Sequence, residues 1–274
     1  MGRSHAASGW CIGLVAAPLL GLVHAPAVLL FAVTTAGFAL LPDLDCDGSR
    51  ASRSLGWFTG GISTGLQWLS ARVYRWTRTP HDSHRQGTHR HLSHTVVFAL
   101  VLGGTVTVGA ATIGRWFVLA VLIFGVLLAE DALGKWKVPV PFVRADVSLV
   151  ALAAIGSAVV LVATTSLATT LVAVGWWIGP AVAIGCVTHC LGDSPTRSGC
   201  PFLWPIPIRG RAWYEISLPR RFRFTTGREG GFELRVAYPA FLVAGVLLVP
   251  GVWSVLVAVV DHLVVATATA STTR

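Results

Sequence analysis

Apolar runs long enough to cross a bilayer recur along this chain, and they constrain its fold more than any other feature. After a first run at about 4–23, a tight turn at 24–26 sends a second back to Leu41, and further runs cover about 94–113, 115–133, 146–166, 169–192 and 236–260. A helix rises 1.5 Å per residue, so about 20 apolar residues cross the roughly 30 Å hydrocarbon layer. Charged residues make up only 12% of the chain, about half of what a soluble domain carries, and they fall mainly in the intervening loops. The pattern predicts an all-α, polytopic membrane helix bundle of about seven spanning helices, forming a single integral-membrane domain over 1–274.

One stretch departs from the spanning pattern. Residues 55–76 mix Trp57, Trp68 and Trp76 with Gly, Ser and Arg, which suits an amphipathic helix lying in the membrane interface. The first run could be mistaken for a signal peptide. A single Arg precedes it, and Pro26 sits inside the would-be cleavage motif, so it reads as a retained helix. Short turns at 113–115 and near Ser166 make the neighbouring helices antiparallel.

The net charge of +9 raises the question of a nucleic-acid partner. The basic residues carry no zinc-finger spacing or basic heptads, so attraction to one membrane face is the better reading, and no nucleic acid is expected. With the N-terminus inside, the loops 42–93, 134–145 and 193–235 are cytoplasmic. Of the 21 Lys and Arg, only Arg115 and Arg274 then lie outside. The inverse orientation would export the other 19, which insertion disfavours. The expected topology is therefore multi-pass with the N-terminus cytoplasmic and lipid as the surrounding partner, and the family resemblance given below implies a bacterial inner membrane. Protein partners are not legible.

That topology sends four ligand-bearing stretches to one face. His189 and Asp193 are four apart at the end of an apolar run and share a helix face if the run is helical. Pro195 and Pro201 stop that helix. Asp43 and Asp45 follow Pro42 in a short acid-rich turn, a spacing that suits one cation or a bridge between two, but equally an Asx turn. His81, His84, His89, His91 and His94 crowd one polar loop, which could simply be solvated or pH-responsive. His5 opens the first helix. Arg90 could neutralise an anionic substrate or meet a lipid headgroup. Glu130-Asp131 reads as interfacial, and Asp261-His262 sits on the wrong face.

The five cysteines are odd in number and contain no C-x-x-C, which argues against a disulfide framework or a thiolate zinc site. The set His5, Asp43, Asp45, His89, His94, His189 and Asp193 mixes imidazole with carboxylate and suits Zn²⁺, Mn²⁺ or Fe²⁺. Seven ligands exceed one tetrahedral ion and suggest two metals about 3.5–4 Å apart, a clamp suited to hydrolytic chemistry. There is no P-loop or HExxH.

Those residues, in that order, resemble the bacterial family of LexA-regulated, inner-membrane-associated metal-dependent hydrolases. The family's early His is His5, and its Leu-Pro-Asp-x-Asp turn is Leu41-Pro42-Asp43-Leu44-Asp45. Its His-Arg-x-x-Ser-His-Thr segment is His89 through Thr95, with His91 where a Gly is usual. The overlapping frame His84-Arg85-Gln86-Gly87-Thr88-His89 leaves His84 as an alternative to His94. Its late stretch is His189, Asp193, Thr196, Gly199 and Pro205. The likeness covers about 1–45, 84–100 and 180–210. It implies metal-dependent hydrolysis of an ester or phosphoester in an amphiphilic or lipid-borne substrate, with Asp45 and Arg90 in catalytic roles. The rival expectation is a metal or proton transporter, or a scaffold with a structural metal. The middles of 94–113, 146–166 and 236–260 carry no charge, which disfavours transport.

Overall fold

The computed structural model describes residues 2–135, 137–139, 146–219, 223, 231–255 and 257–259. Arg144, the 220–230 portion of the basic loop apart from Arg223, the last residues of the 236–260 run and the Asp261-His262 pair lie outside the described residues.

Helices α1 (Gly2–Leu19) and α2 (Ala25–Phe38) form the expected hairpin. A 3-10 turn, Pro42–Asp45, follows, then the short α3 (Arg50–Arg53) and α4 (Trp57–Thr77). After a polar loop and a second 3-10 turn, Leu92–His94, come α5 (Val96–Thr112) and α6 (Arg115–Leu133). A two-stranded antiparallel ribbon, β1 (Lys137–Pro139) with β2 (Asp146–Ser148), leads into α7 (Leu149–Thr164) and α8 (Leu167–Asp193). A π-helical turn, Glu233–Ala237, opens α9 (Tyr238–Leu247).

The fold is an all-α membrane bundle with one small ribbon. By length and composition, three described segments can cross a bilayer: Ala25–Asp45, α6 and α8. A fourth is available if Glu233–Leu247 and Val252–Val259, bent by 77°, make one span. The expected count of about seven is higher, for local reasons. Ribbon pairing takes 146–148 from the front of α7, and both α5 and α7 are apolar but shorter than 18 residues. The first turns of α1 carry Ser4, His5, Ser8 and Gly9, which dilute its apolar character. α6 occupies the expected 115–133.

Capping follows local chemistry. Thr95, Ser148 and Ser166 each turn a hydroxyl back to accept from a first-turn N–H, as N-cap residues do. The helices then pack through small residues, which let backbones approach where lipid supplies no hydrophobic drive. A Cβ on Gly37 would lie 1.8 Å from the Gly125 carbonyl oxygen, and one on Gly185 would lie 2.7 Å from that of Thr35. Ala6, Ala32, Ala36 and Ala181 are fully buried in the core that holds the tilted Phe31–Trp177 ring pair. Outward faces carry Val101, Val108, Ile155, Val159 and Val172, an apolar rim for acyl chains.

A second, smaller core sits outside the bundle. Tyr74 at the end of α4 packs with Leu92, Ala212 and Trp213, flanked by Trp204. Buried Asp82 ties this cap together by accepting from Thr79 N (2.7 Å), Trp213 N (3.0 Å) and Ala212 N (3.3 Å). α4 itself leaves Trp57, Trp68 and Trp76 exposed, with the Arg72 guanidinium 4.6 Å from the Trp76 ring centroid.

Candidate metal centre

The bundle contributes its half of the site from helix ends. At 27 residues, α8 is about 40 Å long, more than a hydrocarbon layer needs, so its last turn can stand clear of the apolar zone. That turn carries His189 and Asp193, both fully buried by protein. His189 Nδ1 lies 2.8 Å from the Ala39 carbonyl, one of the orphan acceptors at the end of α2. A carbonyl can only accept, so Nδ1 holds the proton and Nε2 presents its lone pair. Asp43, on the 3-10 turn just beyond α2, places Oδ1 3.7 Å from that Nε2. His5 stacks on His189 with ring centroids 4.0 Å apart, and its Nε2 is 3.3 Å from Asp193 Oδ1. Gly192 makes the room: a Cβ there would sit 2.9 Å from His5 Nδ1.

The cap contributes the other half through a hydrogen-bonded loop. Ser70 Oγ donates to the Gly87 carbonyl and accepts from Leu92 N, anchoring the loop to α4. Asp45 is the hub. It meets His89 Nδ1 at 2.6 Å, accepts from Ser93 Oγ at 2.6 Å and from Arg90 N at 3.0 Å, and has His94 Nδ1 at 3.4 Å. Arg90 takes a positive φ of 56°, a backbone state that non-glycine residues hold only when their surroundings fix it. Its guanidinium reaches Asp193 Oδ2 at 3.1 Å and Thr196 Oγ1 at 3.3 Å.

With Nδ1 facing acceptors, His94 also turns Nε2 inward, 3.1 Å from His189 Nε2. Burial opposes charge on His94, but the Asp45 carboxylate, helped by Asp193 and Asp43, outweighs it and holds the pKa above the ordinary imidazole range. Two lone pairs cannot face each other at that distance without a proton or a cation between them. The surroundings that favour a proton there favour a metal cation for the same reason, and binding would release that proton. The edge of a tetrahedron with 2.0–2.1 Å bonds is roughly 3.3–3.4 Å, close to this spacing. Asp193 Oδ1 and Oδ2 and His5 Nε2 are buried and, beyond the ion-pair contacts of Asp193 with His5 and Arg90, complete no hydrogen bond. This donor set fits a divalent cation.

The described residues form two ligand groups: His5, His189 and Asp193; and Asp43, His94 and His189. Both use His189, whose Nδ1 is already committed to Ala39. A single Nε2 serves one ion at a time, so His189 can complete only one of the two groups at once. Of the seven expected ligands, the structure brings five together. Asp45 and His89 enter neither group, because Asp45 is engaged by its four partners and His89 spends Nδ1 on it while its side chain stays 41% exposed. Asp45 instead orients His94, as a carboxylate behind a ligating imidazole does. The His84 alternative falls away: that ring is exposed, its Nδ1 3.5 Å from Arg78 Nη1.

Other expectations also find their place. Glu130 accepts from Ser148 Oγ at the mouth of the ribbon and takes no part in either group. All five cysteines are free, and burial pushes the Cys200 thiol up to about 11, so it supplies no thiolate near neutral pH. The Ala39 carbonyl is a working part with no sign in the sequence, and Ser93 and Thr196, though within the family-like stretches, were assigned no role there. Ser93 lies between His89 and His94 and carried a signal; a backbone carbonyl carries none. Buried Glu233 was likewise unforeseen, accepting from Ser4 Oγ at 2.8 Å beside His5.

A family model described as "YdjM inner membrane protein" matches residues 1–150 and 147–263. No curated protein and no solved structure matches.

Proposed function

The chain belongs to the YdjM inner membrane protein family, and on that footing we propose that it is a membrane-bound, metal-dependent hydrolase acting on an ester or phosphoester. The observation that carries this is the face-to-face pair His94 Nε2 and His189 Nε2 at 3.1 Å, ringed by the Asp43 and Asp193 carboxylates. His5, Asp43, His94, His189 and Asp193 would hold a divalent Zn, Mn or Fe ion, which when bound supplies Lewis acidity and an acidified water. Asp43, 20% exposed among buried partners, is the carboxylate that solvent reaches, so with Oδ1 toward the ion its other oxygen would be free to accept a proton from water. Asp45 positions His94 and does not touch substrate. Arg90, pinned between Asp193 and Thr196, balances anionic charge as it develops. The positive-inside pattern supports a centre at the cytoplasmic face of the inner membrane. A site at the mouth of spanning helices favours a substrate with one end in the lipid.

The rival is a non-enzymatic protein whose metal is structural. Full burial of His94, His189 and Asp193 favours it, since structural sites are closed. The test is metal content with turnover. Purified protein is expected to carry one ion per chain and to hydrolyse a generic phosphodiester or ester until chelated. Bound metal with no turnover of either substrate class would select the scaffold, and a well-folded protein that takes up no divalent metal would overturn both.

A further inference from the structure

A cavity of about 420 Å³ opens on the cap, lined by His81, Arg209, Arg211 and Tyr214. None of these residues belongs to the metal centre. The two arginines stand on a tight hairpin in which Ile208 and Arg211 exchange backbone hydrogen bonds at 2.9 and 3.0 Å. Arg209 and Gly210 both take positive φ, 53° and 79°, as the two central residues of a type I′ turn do. Gly is usual at such positions, and an arginine held there is spent on something other than turn stability.

The turn is anchored on both sides. Thr79 Oγ1 donates to the Gly210 carbonyl at 2.7 Å, and Asp82 accepts from Ala212 and Trp213. His81 is thereby held against the hairpin, its ring 3.3 Å from where a Gly210 Cβ would stand. Nearby acids are already committed. Asp82 is consumed by N–H and hydroxyl donors, and Glu215 pairs with Arg85. Among the described residues, neither Arg209 nor Arg211 makes a side-chain hydrogen bond or ion pair. The cavity thus presents two exposed guanidinium groups with no protein partner among the described residues, beside an imidazole and a phenol, on a hydrogen-bonded turn. Guanidinium forks match the paired oxygens of a phosphate group.

We propose that His81, Arg209, Arg211 and Tyr214 form a phosphate-group binding site on the cap, separate from the metal centre. The phosphate can be free in solution or carried on the headgroup of an anionic lipid. The cap borders the helix that exposes Trp57, Trp68 and Trp76, so a headgroup is within the chemistry of its surroundings.

Two arms distinguish the sources, each run on the full-length protein, an Arg209→Ala/Arg211→Ala double variant, and Arg53→Ala as an exposed arginine outside the cavity. One arm titrates inorganic phosphate by calorimetry in detergent. The other counts phosphatidylglycerol retained by native mass spectrometry from nanodiscs of phosphatidylglycerol and phosphatidylcholine. Binding in the first arm that weakens about tenfold or more in the double variant, with Arg53→Ala unchanged, identifies a soluble phosphate site. Retention in the second arm only, lost in the same variant, identifies a headgroup site. The proposal is overturned if the unmodified protein binds in neither arm, if the double variant binds as the unmodified protein does, or if Arg53→Ala loses as much. Phosphate held by the metal centre would survive the double variant and so counts against the cap site.

Discussion

The bundle and the cap reach order by opposite means, and the candidate metal centre lies on the seam between them. In the bundle, glycine and alanine let backbones touch, and the alignment of α1, α2 and α8 follows from close packing. In the cap, little apolar area is buried, and position is held by polar hubs: Asp82, Ser70 and Asp45 each tie several donors or acceptors together. His5, His189 and Asp193 therefore stand on helices whose place is set by the membrane fold. His94 is delivered by a loop that must dock. The lesson is that assembly of the candidate site depends on cap docking as well as helix packing.

The sharpest way to break this comparison is to remove one ligand from each side. His189→Ala and His94→Ala are both expected to abolish stoichiometric metal with helical content unchanged, measured by elemental analysis and circular dichroism. Metal kept by His94→Ala alone would show that the cap is not part of the centre. Asp45→Asn sharpens the same contrast, since loss of an orienting carboxylate should weaken metal binding about 10–100-fold without abolishing it. His84→Ala should leave affinity unchanged.

Stability measurements probe the two regions separately. Gly37→Ala pushes a methyl into the Gly125 carbonyl and should destabilise the bundle by about 1–3 kcal/mol or more, seen in thermal unfolding in detergent. Asp82→Ala strands the Ala212 and Trp213 amides, a cost of about 1–3 kcal/mol confined to the cap. Hydrogen exchange should accelerate over 79–95 and 204–216 while α2 and α8 stay protected; uniform acceleration would mean the two regions are one cooperative unit.

The smallest effect concerns acid. Burial holds the His91 imidazole below its ordinary pKa, against the raising pull of the His89 carbonyl. Once unfolded, the ring titrates near about 6.5. Above that pH the two states bind equal protons. As pH falls through it, the unfolded chain takes a proton that the folded cap refuses, so stability declines. His91→Gln should flatten that decline between pH 7 and 5, read as the difference in melting temperature from the unmodified protein. An unchanged slope would discount His91.

Much of this was legible from residue order. Long apolar runs admit only a helical bundle, and the stop at Pro195 put His189 and Asp193 at a helix end. The His-rich loop marked where further ligands would come from. The division of labour within that loop was not legible. His84, His89, His91 and His94 are alike in type and close in sequence. They separate only because Asp45 captures His89, Tyr74 and Trp213 enclose His91, and Ser93 turns His94 inward.

What the sequence determined by itself is the bilayer fold and the chemistry of the donors, because both follow from side-chain type and spacing along one helix. Only the tertiary structure decided that the two candidate ligand groups share His189, that Asp45 stands behind His94, and that His5 stacks on His189. Those outcomes depend on which nitrogen a backbone carbonyl occupies and how closely two helices approach. Such distances arise between residues far apart in the chain, and no local pattern encodes them.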